Sequence, residues 1–141
     1  MSSEPVLRMV DAVTVPVPDL DRGLEFYSTH LGHELLWRND EVGQAGLRLP
    51  DSETELVLSS TLAYGPNWLV ASVPDAVESF TAAGGAVLVR PAEMPVGRVA
   101  VVADPFANPL VLLDLSSGRY VTDESGRVTG VSGGSAEPRP R

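Results

Sequence analysis

A chain of 141 residues is the length of one domain, or of two small halves sharing a core. It contains no cysteine, which excludes disulfide staples and thiolate metal sites and makes the cytoplasm the expected compartment. The formal net charge of −9 repels a phosphate backbone and argues against nucleic acid, and no apolar run is long enough to span a membrane.

Met1-Ser2-Ser3-Glu4-Pro5 lacks the basic start and apolar core of a signal peptide. Met9 to Val17 alternates and is rich in Val, as a strand should be. Pro18 stops the pairing, and Asp19 caps a helix whose apolar face carries Leu20, Leu24, Tyr27 and Leu31. Phe26 and Tyr27 belong to its packed side, and Gly32 ends it. His30 and His33 bracket that end, where an imidazole bonds the last carbonyls and meets the helix dipole favourably. Glu34 to Arg38, Ala45 to Leu49 and Thr54 to Ser59 read as three strands separated by turns.

Thr61 to Asn67, with Gly65-Pro66, reads as a link. A strand over Trp68–Val73 follows, then a shorter helix capped by Asp75 and closed by Gly84-Gly85. Ala86 to Arg90, Arg98 to Ala103 and Pro109 to Leu115 read as three more strands, with a turn over Asp104–Asn108. The tripeptide Val-Pro-Asp thus occurs at 17–19 and at 73–75, each time between a strand and a helix, and marks one supersecondary unit used twice. The expected fold is α+β. It comprises a βαβββ module over 9–60, a linker over 61–67, a second module over 68–116, a C-terminal hairpin over 117–131 and a disordered tail over 132–141.

These phrases in this order resemble the vicinal oxygen chelate superfamily, which includes glyoxalase I, bleomycin-resistance proteins, ring-cleaving dioxygenases and fosfomycin-resistance enzymes. The matching residues are Val15-Pro16-Val17-Pro18-Asp19-Leu20, Phe26-Tyr27 with Leu31-Gly32, Val73-Pro74-Asp75, Ala82-Ala83-Gly84-Gly85 and Gly97-Arg98-Val99-Ala100. Asp104-Pro105-Phe106-Ala107-Asn108-Pro109-Leu110 looks like the family's D-P-x-G-N-P-L turn, with Ala107 in the glycine place. The resemblance runs from Val10 to Leu115 and implies two half-barrels enclosing one cavity, often completed in a homodimer.

Metal-using members of that family draw one ligand from the first strand and one from the last strand of each half. The first-strand place lies seven residues before the Val-Pro-Asp aspartate, which is Ala12 in the first half and Trp68 in the second. The last-strand places fall on Val57 and Val111. None of these side chains offers a lone pair to an ion, and the one recoverable donor nearby is Glu55. The resemblance therefore comes with no expected metal or other cofactor.

Each candidate residue carries a plainer alternative. Trp68 offers a flat face to a planar ligand, or simply fills the hole an ion would leave. Glu55 shares strand parity with Val57; it is either a half-buried general base or a carboxylate paired at the cavity mouth. Arg98 and Arg48 offer a fork to an anionic ligand, or line a solvated strand face. Trp37 and Tyr64 suit a cavity rim, or are ordinarily half-buried. The preferred reading is a metal-free protein that sequesters a planar or apolar small molecule, with Trp68, Glu55, Arg98, Val57, Val111, Trp37 and Tyr64 about the ligand. The rival is an enzyme, a lyase, isomerase, epimerase or tailoring enzyme, using Glu55 for proton transfer or a metal held by ligands outside these positions.

Overall fold

The computed structural model describes residues 4–132. These divide into two compact units, one of residues 11–66 and 120–130, the other of 4–10, 67–119 and 131–132.

In the first unit β1 (Met9–Pro16, in this unit from Asp11 on) leads into a short helix α1 (Leu20–Leu24), followed by β2 (Leu35–Asn39), β3 (Gln44–Leu47) and β4 (Glu55–Ser59). The sheet order is β2-β3-β4-β1, with β4 parallel to β1 and the other pairs antiparallel. Asp19 caps α1 as its sequence predicts, accepting the Arg22 amide at 2.8 Å. Gly23 lets α1 lie close on the sheet, since a Cβ there would stand 3.1 Å from Leu58 Cδ1 of β4 and 2.8 Å from Val17 Cγ1 just past β1. Leu20 packs with Ala45, Leu47 and Leu58, and Tyr27, Leu24 and Val15 close around them.

The helix does not continue as an α-helix to Leu31. Glu25–His30 widens into a π-helical turn, with the Leu31 amide reaching back to the Phe26 carbonyl at 3.0 Å. Widening rotates the tail out of the α-helical stripe, so Phe26 and Leu31 stand about half exposed while only Tyr27 reaches the core. Gly32 takes φ +86° and ends the segment. His33 turns away from the helix end and places Nδ1 3.0 Å from the Arg48 carbonyl oxygen.

The second unit repeats the plan with β5 (Gly65–Leu69, in this unit from Asn67 on), α2 (Val73–Ala82), β6 (Ala86–Met94), β7 (Gly97–Ala103) and β8 (Pro109–Asp114), in sheet order β5-β8-β7-β6. Val70, Val73, Ala76, Ala100, Val102 and Leu112 form its core. The α+β class and the repeated βαβββ order hold. β5 begins within the expected link, at Gly65.

The cap of the second helix differs from its sequence reading. Ser72 is the N-cap, accepting the Asp75 amide at 3.4 Å, while Pro74 and Asp75 lie inside the first turn. Asp19 therefore corresponds to Ser72, and the buried pairs follow at the same offset: Leu20 with Val73, and Gly23 with Ala76. The two Val-Pro-Asp phrases are three residues out of register with each other.

β9 (Tyr120–Thr122) and β10 (Val128–Val131) form the expected C-terminal hairpin, closed by an Asp123 carboxylate that accepts the Ser125 and Arg127 amides. Of the expected disordered tail, residues 133–141 lie outside the described residues.

Candidate functional site

Strand register decides which side chains share a sheet face. In the first unit Trp37 is opposite Gly46, Gly46 opposite Val57, and Val57 opposite Thr14, so these four line the face away from α1. Glu55 and Ala12 are partners two residues along and share it. The face is enclosed: Glu55 is 8% exposed, Val57 5%, Ala12 3% and Thr14 2%.

Glu55 is the chemically notable member. Its Oε1 accepts the Trp37 indole N–H at 2.8 Å. A carboxylate held this far from water needs such donors, because desolvation without compensation costs several kcal/mol (about 3 or more). Trp37 is fixed in turn by what lies beneath it. A Cβ on Gly46 would fall 2.2 Å from Trp37 Nε1 and 2.4 Å from Cε2, so the indole rests on bare backbone. Tyr120 of β9 stacks on Trp37 with ring centroids 4.7 Å apart, tilted by 46°. Asn39 Nδ2 donates to the Tyr120 hydroxyl at 3.4 Å. Burial pushes the Tyr120 phenol above its ordinary pKa, offset only in part by that hydrogen bond.

Tyr120 and Gly46 were not singled out in the sequence. A glycine inside a strand signals close approach of another group, so Gly46 was readable in principle. Tyr120 was not, because its role depends on where a separate hairpin docks.

The remaining candidates lie elsewhere. Trp68 is opposite Leu112, which is opposite Ala100, and it packs with them against the core beneath α2. Its parity makes it a core residue, neither a ligand platform nor the filling of an ion site. With Asp19 corresponding to Ser72, the position seven residues before the cap is Gly65, not Trp68. Val111 is opposite Asn67, just as Val57 is opposite Thr14, so these two valines do correspond, each on the face away from its helix. Arg98 shares the parity of Ala100 and pairs with Asp114 on the helix side, its amide donating to Asp114 Oδ1 at 2.9 Å. Arg48 is tied to Glu34 by an ion pair of 2.8 Å. Tyr64 is 72% exposed, just ahead of β5.

The donor set does not fit the divalent ion that the resemblance brings to mind. Ala12, Val57, Val111 and either Gly65 or Trp68 supply hydrocarbon, indole or bare backbone. Among the described residues no three His, Cys, Asp or Glu side chains converge.

Two other charged groupings are structural. Asp114, 1% exposed, accepts the Val73 amide at 2.8 Å, the Arg98 amide at 2.9 Å and the Ser116 hydroxyl at 2.8 Å. It ties the start of α2 to β7 and to the chain leaving β8. Burial pushes its carboxyl pKa up, but these donors outweigh burial and hold it below the usual carboxylate range. On the first unit a cleft of about 300 Å³ is lined by Asp19, Asp21, Arg38 and Asp40 among others. Arg38 already bonds Asp21 and Asp40 at 3.0 Å each, and Asp40 also pairs with Arg127. Those bonds from Arg38, with a smaller contribution from Arg127, lower the Asp40 pKa. Arg38 is thus spent on Asp21 and Asp40, and Asp19 on the cap of α1.

Among the described residues no helix is long and apolar enough to cross a membrane. Residues 9–112 match the sequence profile of the Glyoxalase/Bleomycin resistance protein/Dioxygenase superfamily. No curated protein matches the sequence significantly. Among solved structures, the chain is similar to methylmalonyl-CoA epimerase from Mycobacterium tuberculosis, with TM-score 0.62 and 20% identity over 81% of this chain and 92% of that one. It is similar to a hypothetical protein from Bacillus halodurans, with TM-score 0.61 and 17% identity over 74% and 92%. A variant of Streptomyces coelicolor methylmalonyl-CoA epimerase in complex with 2-nitronate-propionyl-CoA gives TM-score 0.59 and 22% identity over 77% and 97%. At these identities the likeness concerns the fold.

Proposed function

The chain belongs to the Glyoxalase/Bleomycin resistance protein/Dioxygenase superfamily, and from that premise we propose that it holds a small organic molecule, without a metal ion, on the first unit's sheet face beside Glu55. One observation carries the reading. Where the family's ion-binding corner would sit, Ala12 and Val57 give only hydrocarbon, and next to them stands an enclosed carboxylate oriented by an indole N–H. Apolar walls with one well-placed polar group are the usual make-up of a small-molecule site. The ligand class that suits it is planar or largely apolar and carries an N–H or O–H that Glu55 accepts. Trp37 orients that carboxylate, and Val57 and Thr14 supply apolar and hydroxyl contacts. The role is sequestration in the cytoplasm, and a homodimer belongs to the same proposal.

The test uses N-phenyl-1-naphthylamine, a neutral, largely apolar aromatic dye with one N–H. Its fluorescence should rise saturably with protein, and Glu55→Gln should weaken binding about tenfold or more, the worth of a hydrogen bond to a charged group. Equal binding by both proteins, or none by the wild type, defeats the reading. Stoichiometric zinc, manganese, nickel or iron in purified protein defeats its metal-free part.

A second reading is favoured by the solved neighbours named as epimerases. In it Glu55 takes a proton from a carbon next to a carbonyl, leaving an enolate, and returns it. Methylmalonyl-CoA in heavy water is the probe: deuterium at C2 that depends on Glu55 favours catalysis, and an unchanged proton signal favours sequestration.

A further inference from the structure

We infer that the C-terminal hairpin is a working part of the Glu55 site, with Tyr120 as a positioning residue that acts on the carboxylate through Trp37. The inference rests on the reading of Glu55 as the ligand anchor. The hairpin lies beyond residues 9–112, so nothing in the family's shared sequence accounts for it.

Contacts with β2 and with Asp40 just beyond it seat the hairpin. The Arg38 amide donates to the Gly126 carbonyl at 2.8 Å, Arg38 and Arg127 form a parallel bridge, and Arg127 pairs with Asp40. Gly126 makes the fit possible: its φ is +89°, and a Cβ there would stand 2.9 Å from Leu35 Cδ2. With the hairpin docked, Tyr120 falls on Trp37 and reaches Asn39, the residue two along β2 on the same side. The indole is then held between Tyr120 and the bare backbone of Gly46. These two contacts restrict the indole, whose N–H points at Glu55 Oε1. The hairpin thus sets how precisely the carboxylate is aimed.

The experiment follows solvent exchange of the Trp37 indole proton by nitrogen-15 NMR in the full chain. Trp68, in the other unit, serves as the internal control. Tyr120→Leu should speed Trp37 exchange about tenfold or more while the Trp68 indole is unchanged. Tyr120→Phe, which keeps the ring, should stay near wild type. In a Glu55→Gln background, Tyr120→Leu should have a smaller effect, because the two changes act on one bond. If Tyr120→Leu fails to fold, Gly126→Ala loosens the same docking and should give the same pattern. Equal acceleration at both indoles, no acceleration at Trp37, or effects of Tyr120→Leu and Glu55→Gln that simply multiply would each overturn the inference. None of these readouts needs a ligand. A protein that binds no dye yet shows this coupling loses the binding proposal alone.

Discussion

Replacing Gly46 with alanine tests the geometry on which the site depends. The added methyl carbon would lie 2.2, 2.4 and 2.9 Å from Trp37 Nε1, Cε2 and Cδ1, all inside contact distance and all on a rigid ring. The indole must lift, which disturbs its packing with Tyr120, 4.7 Å away between ring centroids. Overpacking of this kind costs about 1–3 kcal/mol. Displacing the N–H from Glu55 adds about 1–3 kcal/mol for a buried acceptor that loses a donor. The two costs together come to about 2–6 kcal/mol, several times the intrinsic gain of an alanine over a glycine in a strand, which is roughly 0.5–1 kcal/mol. Urea unfolding followed by tryptophan emission reads both stability and the Trp37 environment. The same substitution in a Trp37→Ala background should be close to neutral. A wild-type-like midpoint for Gly46→Ala, or an equal loss in both backgrounds, would refute the placement of the indole over Gly46.

Ala107 sits at φ +71° in the Asp104–Asn108 turn, so Ala107→Gly should stabilise the protein by about 0.5–1.5 kcal/mol by denaturant midpoint, the left-handed cost less the extra unfolded entropy of glycine. Because Asp114 has a depressed folded pKa, its contribution is fully present above the ordinary aspartate value of about 3.9 and is lost as pH falls through the lower folded value. Thermal melts should show that loss in the wild type below about pH 4, and Asp114→Asn should be less stable at pH 7 with a flatter acid dependence. Ser72→Ala should cost about 1 kcal/mol and exceed the cost of Asp75→Ala, which checks the cap of α2. Light scattering of the full chain should give the mass of a dimer; a single-chain mass removes the homodimer from the proposal.

The repeated βαβββ order was legible because strand alternation, helical periodicity and turn residues agree along most of the chain. The register of the repeat was not. Ser72 and Asp75 are both good cap residues, and proline is welcome in a first helical turn, so local chemistry allowed either start for α2. Only the ladder of β5 with β8 decides it. That three-residue ambiguity put Trp68 in an imagined ion corner, whereas a strand's period of two puts it under α2 with Leu112. Glu55 was found by its parity with Val57, but its partner was not an arginine or water alone: Trp37 comes to it across the intervening strand, a contact that needs Gly46 to be small. Tyr120 could not be read at all, since the site reaches it through a hairpin many residues beyond β2 in the chain.

Native mass spectrometry of the protein purified from its own host, wild type beside Glu55→Gln, bears most directly on the role proposed for the Glu55 face. The expected result is a wild-type species carrying one small organic molecule that the variant has lost, with the bare chain mass in the variant. A bound metal ion in the wild type, or the same organic molecule held equally by both proteins, would contradict it.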